Sequence, residues 1–211
     1  MSTVFIISAP SGSGKSTLVK RLMEKDLDRG ESRLQFSVSF TTRAPREGEV
    51  EGEHYCFISV KEFQRLRDAD ELLESAEVFG NYYGTSRAVL RKAEAAGQDL
   101  ILDIDVQGAA QLKQRLDQAV SIFILPPSRQ VLESRLRNRS SDSDEVIQRR
   151  LEEASNEIEE YGKYDYLLIN DNLDASFEQL RGIILAERCR TKRALDQVKK
   201  IVDSFATEVK R

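Results

Sequence analysis

A run of small residues near the amino terminus carries residue types that can bind phosphate. Residues 9–17 read APSGSGKST; they follow the short apolar run Val4–Ser8 and precede helical spacing of apolar residues at 18–23. Small residues let successive backbone N–H groups point at one phosphate, and a helix amino terminus adds partial positive charge. A lysine here can reach the terminal phosphates, and a hydroxyl can hold Mg²⁺. The pattern predicts an ATP site formed by Ala9, Pro10, Ser11, Gly12, Ser13, Gly14, Lys15, Ser16 and Thr17.

The loop departs from the strict Walker A pattern at one position, because Ala9 stands where that pattern has glycine. The alternative interpretation is a flexible Gly/Ser turn in front of a helix. A strand before the loop and a helix after it are the context that a phosphate loop requires, and they favour the phosphate-binding interpretation.

Two carboxylates stand at the end of another apolar run. Asp103 and Asp105 are two residues apart at the end of the predicted strand 100–104. Alternation along a strand places both on one face, at the sheet edge where open α/β sheets bind ligands. Asp105 could instead cap the following helix, which is compatible with a role in the site.

The order of predicted elements indicates how these residues are positioned. Strands and helices alternate at both ends of the chain, which predicts an α/β fold with a parallel sheet core flanked by helices. A more strand-rich segment at about 35–85 looks inserted into that core. The predicted strands are 33–42, 55–58, 72–79, Val120–Leu125 and 166–170; the predicted helices are 61–67, Arg87–Ala96, 109–116 and a long one from about Leu173, with a polar loop at 43–53 and a turn at 80–84.

Composition excludes several classes of function. The chain has 211 residues and a net charge of -4, so it lacks the basic footprint of a general nucleic-acid-binding protein. The two cysteines, Cys56 and Cys189, have no metal-ligand spacing, and reduced thiols favour a cytoplasmic location. The sequence shows neither a signal peptide nor a run long enough to span a membrane. We therefore expect no nucleic-acid or membrane partner.

Three further motifs resemble guanylate kinase. They are SVSFTTRAPREGEVEGEHY at 37–55, NYYG at 81–84 and LDIDVQG at 102–108, and the similarity runs from Thr3 to about Glu187. The resemblance implies a P-loop core, an inserted mixed α/β GMP-binding segment and a helical lid. The implied division is 1–34 core, 35–88 GMP-binding insert, 89–127 core, 128–158 lid, and 159–211 core and carboxyl-terminal helix.

The resemblance also implies the GMP site. The family's phosphate ligands fall on Arg43, Arg46, Tyr55 and Tyr83, and guanidinium forks with phenol donors suit a dianion. Solvated arginines and core aromatics are the alternatives when each position is taken alone. The guanine-reading residues fall on Glu74 and Ser39, because a carboxylate accepts both N1–H and N2–H₂ while a hydroxyl donates to O6. Without the resemblance, an exposed charge would be the preferred interpretation of Glu74.

The remaining residues implied by the resemblance complete the set. Gly84 and Thr85 lie near the base, Asp105 lies near the acceptor nucleotide, Asp103 joins Ser16 at the metal, and Asn170 lies in the adenine-side loop. The lid arginines are Arg135, Arg139 and Arg150, which join Lys15 and Arg43 as catalytic residues. Arg137 and Arg149 have no family match, and a salt-bridged helix face is the interpretation for both.

The expected reaction is transfer of the γ-phosphate of ATP to GMP with Mg²⁺, in a monomer or weak homo-oligomer. One alternative is a monophosphate kinase with another base preference, against which Glu74 and Ser39 argue. A second is a non-catalytic scaffold module, which the intact Lys15 and Ser16 disfavour. A third is a GTPase switch, for which the sequence has no base-recognition motif of the NKxD type.

Overall fold

The computed structural model describes residues 2–27, 33–46, 48–78, 80–139 and 143–208. The side chains of Leu27, Arg139, Asp196, Gln197 and residues 206–208 lie outside that description.

A five-stranded parallel sheet forms the centre of the molecule. Its strand order is β2-β7-β1-β8-β9, so β1 lies in the middle with β7 and β8 on either side. β1 is buried throughout, which explains its uninterrupted apolar sequence. The strands of this sheet are β1 (Val4–Ser8), β2 (Leu34–Phe36), β7 (Asp99–Asp103), β8 (Val120–Leu125) and β9 (Tyr166–Ile169).

A smaller mixed sheet has the order β4-β3-β6-β5. It consists of β3 (Phe40–Thr41), β4 (Cys56–Phe57), β5 (Leu72–Val78) and β6 (Asn81–Ser86). Two sequence predictions were wrong here. The single strand at 33–42 is divided between the two sheets, because the chain leaves the central sheet after Phe36. The turn predicted at 80–84 is largely strand, because residues 81–86 pair antiparallel with β5.

Eight helices are present in the described part of the chain. The long carboxyl-terminal helix predicted from Leu173 is two helices, because helical structure ends at Arg188 and resumes at Thr191. The helices are α1 (Lys15–Leu27), α2 (Val60–Asp68), α3 (Arg87–Ala96), α4 (Val106–Arg115), α5 (Arg129–Arg139), α6 (Asp144–Glu159), α7 (Leu173–Arg188) and α8 (Thr191–Glu208), with a 3₁₀ turn at Glu160–Lys163.

Apolar side chains form four separate clusters. Two of them pack against the central sheet, one involving Phe5 and Ile122 and the other Ile6 and Leu102. A third joins α5 to α6, and a fourth lies beneath the small sheet against α2. The predicted fold class is confirmed: a parallel core flanked by helices carries a mixed α/β segment and a helical pair. The domain boundaries stay a prediction. Among the described residues, no helix has both the length and the apolarity needed to cross a bilayer.

Candidate active site

The phosphate loop joins β1 to α1 and depends on glycine at two points. Gly12 and Gly14 both have φ of 91°, a left-handed conformation that side chains other than glycine rarely adopt. Gly14 also lacks room, because a Cβ there would lie 2.3 Å from Nδ2 of Asn170. That amide donates to the carbonyl of Ser13 at 2.8 Å. The loop conformation and the position of Asn170 are therefore linked.

Lys15 and Ser16 lie directly beside the end of β7. The Nζ atom of Lys15 pairs with the carboxylate of Asp103 and donates to the carbonyl of Ile104 at 3.1 Å. The Ser16 hydroxyl lies 3.5 Å from the other oxygen of Asp103. The structure thus brings together the two predicted metal ligands and the predicted catalytic lysine.

The oxygen atoms of Ser16 and Asp103 suit Mg²⁺, which binds a few protein oxygens together with water and substrate phosphates. No group of three or more His, Cys, Asp or Glu side chains that could hold a metal ion occurs within the described ranges. A pair of protein oxygens fits a metal that takes its remaining ligands from water and phosphates.

Arginines of α5 and α6 reach the phosphate loop from the other side. Arg135 donates to the carbonyl of Asn170 at 2.9 Å and to that of Ser13 at 3.5 Å. Arg150 donates to the hydroxyl of Ser11 at 2.8 Å. Arg139 lies on α5, but its side chain is outside the described residues. Two of the three predicted lid arginines therefore contact the loop.

The two arginines without a family match behave differently from each other. Arg137 pairs with Glu133 at 2.9 Å and with Asp144 at 2.5 Å, as a salt-bridged helix face requires. Arg149 lies 3.9 Å from Glu153, but both side chains also line the cleft beside the loop. Arg149 is therefore an exposed, ion-paired residue of a helix face, as predicted, and it also borders the cleft.

Arg43 is the centre of the predicted monophosphate-binding cluster. Its NH2 atom donates to both carboxylate oxygens of Glu49, at 2.8 and 2.9 Å, and its Nε atom donates to the Tyr83 hydroxyl at 3.3 Å. The guanidinium lies 5.5 Å from the ring centre of Tyr55. Burial raises the pKa of Tyr55 to about 12, so its phenol stays a neutral donor. The backbone N–H of Arg46 donates to Glu49 at 2.7 Å, and the Arg46 side chain lines the cleft.

Glu74 is a buried carboxylate on β5, with only 3% of its surface exposed. Burial raises the pKa of Glu74 to about 7, hydrogen bonds from Thr85 oppose the rise, and the charge of Asp105 adds to it. The hydroxyls of Ser39 and Thr85 lie 3.4 Å apart. Asp105 does cap α4, accepting from the Gly108 N–H at 2.8 Å, and it still faces the cleft.

A single cleft of about 940 Å³ connects these groups. Of the predicted residues with described side chains, all but three line it. Ser13 contributes through its carbonyl contacts, Thr85 supports Ser39 and Glu74, and Gly84 pairs with Ser75 and Phe40 in the small sheet.

Sequence reasoning missed Glu153 and Glu157, which line the cleft from α6. Burial raises the pKa of Glu157 to about 7; the charge of Lys15 lowers it and that of Asp105 raises it. The four-residue spacing of Glu153 and Glu157 puts them on one helix face, and that was the available signal. Asn81, from the small sheet, also lines the cleft and was missed.

Comparisons with known proteins agree with this geometry. The family model described as guanylate kinase matches residues 1–187. The chain is 52% identical over 198 residues to guanylate kinase of Geobacter sulfurreducens, covering 94% of this chain and 95% of that protein. It is 50% identical over 193 residues to that of Escherichia coli K12, covering 90% and 91%. The crystal structure of guanylate kinase from Anaplasma phagocytophilum superposes with a TM-score of 0.77 at 34% identity, covering 93% of each chain.

Proposed function

The chain belongs to the guanylate kinase family, and from that premise we propose that it transfers the γ-phosphate of ATP to GMP, giving ADP and GDP. The observation that carries the substrate assignment is the buried Glu74, which faces the same cleft as the phosphate loop. A buried carboxylate is costly unless a ligand supplies matching donors. The N1–H and N2–H₂ edge of guanine supplies two, whereas adenine presents a lone pair at N1.

On the donor side, the N–H groups of residues 9–17 hold the phosphates of ATP, and Lys15 neutralises the charge that develops during transfer. Asn170 fixes the loop through Ser13 and borders the expected adenine side. Mg²⁺, when bound to Ser16, Asp103 and the phosphates, would supply further charge neutralisation.

On the acceptor side, Arg43 and Arg46 bind the phosphate of GMP, with hydroxyl donation from Tyr55 and Tyr83. Ser39 binds the base beside Glu74, and the buried Thr85 holds both in place. Arg43 must exchange the carboxylate of Glu49 for the phosphate, which offers the same geometry to the guanidinium fork and a larger negative charge.

The helical pair α5–α6 acts as the lid that completes the site. Arg135 and Arg150 already lie against the phosphate loop, so a short movement would bring them to the transferring phosphoryl group. Arginines delivered in this way stabilise charge and exclude water. Because the acceptor phosphate is already anionic, the reaction needs no dedicated general base.

We also propose the cytoplasm as the location, and a monomer or weak homo-oligomer as the working state. The described cysteines, Cys56 and Cys189, are both free thiols, which supports a reducing compartment. ATP and GMP are the proposed partners, with no nucleic acid or membrane.

A coupled assay of ADP release over a panel of nucleoside monophosphates, with ATP and Mg²⁺ fixed, tests the proposal. We expect turnover with GMP to exceed that with AMP, CMP and UMP by a large factor, and omission of Mg²⁺ to abolish it. Equal turnover with AMP and GMP would leave the kinase assignment in place and remove the assigned role of Glu74.

A further inference from the structure

Gly108, on α4, lies directly against the carboxylate of Glu74. A Cβ atom built on Gly108 would lie 2.7 Å from Oε2 of Glu74 and 3.2 Å from its Cδ. The first distance is shorter than real Cβ atoms show. The carboxylate therefore occupies space that exists only because residue 108 has no side chain.

The two elements that meet at this point cannot easily move apart. Gln111 of α4 donates to the carbonyl of Ser75 at 2.7 Å and accepts from its N–H at 3.2 Å. Arg115, also on α4, donates to the carbonyl of Leu73 at 2.6 Å. These bonds fasten α4 to the residues immediately before and after Glu74, so an added methyl group would displace the carboxylate and leave the helix in place.

An irregularity in β5 also contributes to the position of Glu74. The pairing of β5 with β6 shifts register between Leu72 and Glu74, and such bulges re-aim side chains. Thr85 then bonds to the carboxylate from the opposite strand. Gly108 lies against the same carboxylate, so Glu74 is positioned both by its strand pair and by α4.

The backbone does not explain why residue 108 is glycine. Gly108 belongs to α4 and is not among the residues with positive φ. Alanine is the better helix former at such a position. The contact with Glu74 is the feature of the structure that disfavours a side chain there.

We infer that Gly108 is a positioning residue for base recognition, which sets the depth of the Glu74 carboxylate and thereby the preference for a base with adjacent N–H donors. The inference rests on the proposed use of GMP. Gly108 is not among the residues that line the cleft, and an added Cβ would meet Oδ1 of Asp105 only at an ordinary contact distance of 3.5 Å. Its effect should therefore run through Glu74, be confined to GMP and disappear when residue 74 has no carboxylate.

The experiment compares Gly108→Ala with Gly182→Ala, a glycine inside α7 that has nothing within 4 Å of an added Cβ. We expect Gly108→Ala to lower kcat/KM for GMP about ten- to a hundredfold, as misplacement of a binding group by about 1 Å does. The KM for ATP and the melting temperature of Gly108→Ala should change little, and Gly182→Ala should match the parent protein in both kinetic quantities. Gly182→Ala should raise the melting temperature by about 2–4 °C, because alanine replaces glycine at an exposed position inside a helix.

Both glycine substitutions are then repeated in a Glu74→Ala background, which removes the atoms that the new methyl group would meet. There Gly108→Ala should change kcat/KM for GMP by less than about twofold, within the usual scatter of additive sites. A reduction as large as in the parent background would overturn the inference, as would an equal loss for ATP and GMP. If Gly108→Ala alone does not fold, folding of the Glu74→Ala/Gly108→Ala protein supports the inference and its failure to fold overturns it.

The same assay separates this inference from the proposed function. A parent protein that does not phosphorylate GMP contradicts the function. A parent protein that does, together with an unaffected Gly108→Ala variant, contradicts only the role of Gly108.

Discussion

The donor and acceptor halves of the cleft are built in different ways. On the donor side, a contiguous loop presents backbone groups, and its conformation is fixed by Gly12 and Gly14. On the acceptor side, the binding atoms belong to side chains that come from several strands and a loop, and Arg43 already has a carboxylate partner in Glu49. A backbone site tolerates change in most of its side chains, whereas a side-chain site depends on the supports behind each group.

On the ATP side of the cleft, loss of the Lys15 side chain is expected to have the largest effect on turnover. Lys15→Met removes the cation that pairs with Asp103 and would neutralise transferring charge. We expect a fall in turnover of about 10³–10⁵-fold, because loss of a cationic group of this kind has that effect in phosphoryl transfer. Steady-state kinetics on the folded variant measure it, with circular dichroism as the check on folding. A variant with parental turnover would show that the loop does not bind the transferred phosphate.

A smaller and more selective effect is expected on the acceptor side. Glu74→Gln replaces one acceptor oxygen by a donor, so one guanine N–H is left unpaired. A buried unpaired donor costs about 1–3 kcal/mol, more beside a charge, which lowers kcat/KM for GMP roughly tenfold to over a hundredfold. The KM for ATP should change little. If the preference for GMP over AMP were unaltered, base recognition would have to lie elsewhere in the cleft.

The pH dependence of GMP use provides a second test of the role of Glu74. Glu74 must be ionised to accept from guanine, and burial raises its pKa to about 7. The value of kcat/KM for GMP should therefore fall about tenfold per pH unit below that pKa, since this parameter reports the free enzyme. The Glu74→Gln variant should lack this limb of the profile, which makes it the matched control.

Stability provides an independent check on that ionisation. The folded-state pKa of Glu74 is raised, so its contribution is fully present below the ordinary pKa of glutamate and is lost as pH rises through about 7. Between pH 5 and 8 the parent protein should lose roughly 2.5 kcal/mol more free energy of unfolding than Glu74→Gln does. Denaturation curves measure this change for both proteins. Equal losses of free energy of unfolding in the two proteins would contradict a raised pKa at Glu74.

The smallest predicted effect concerns the internal partner of Arg43. Glu49→Gln keeps an oxygen that can accept from the Arg46 N–H but removes the charge that competes with phosphate for Arg43. The pair is largely shielded from solvent, with 14% and 16% of the two side chains exposed. A hydrogen-bonded contact of this kind contributes about 0.5–1.5 kcal/mol, so we expect the KM for GMP to fall about two- to tenfold. Titration of GMP at two salt concentrations measures this. A rise in KM would mean that Glu49 chiefly orders the loop.

The donor half of the cleft was easier to predict from the sequence than the acceptor half, because the donor residues are contiguous. The phosphate loop was predicted residue by residue because its determinants are contiguous. The strand at residues 81–86 was missed because Gly84 and a polar Asn81 suggest a turn, while pairing with β5 decides the structure. The acceptor residues came from the resemblance to a family, since Glu74 alone is indistinguishable from surface charge.

Other parts of the site could be predicted only incompletely from local pattern. Arg149, Glu153 and Glu157 face the cleft only because of the way α6 packs on α5, more than 130 residues along the chain from the phosphate loop. The support of Glu74 by Gly108 joins positions on two different elements and depends on the register shift in β5. Such contacts are tertiary: the spacing of Glu153 and Glu157 shows that they share a helix face, but not that this face points into the cleft.

The apolar cluster shared by α5 and α6 has a consequence for hydrogen exchange. Leu132, Leu136, Ile147, Leu151 and Ala154 form a core of their own, separate from those against the central sheet. A segment with its own core opens as one cooperative unit, at a lower free energy than global unfolding. The amides of these two helices are therefore expected to take up deuterium together and ahead of β1, and a nucleotide that bridges Arg150 and the phosphate loop should slow them all by the same factor.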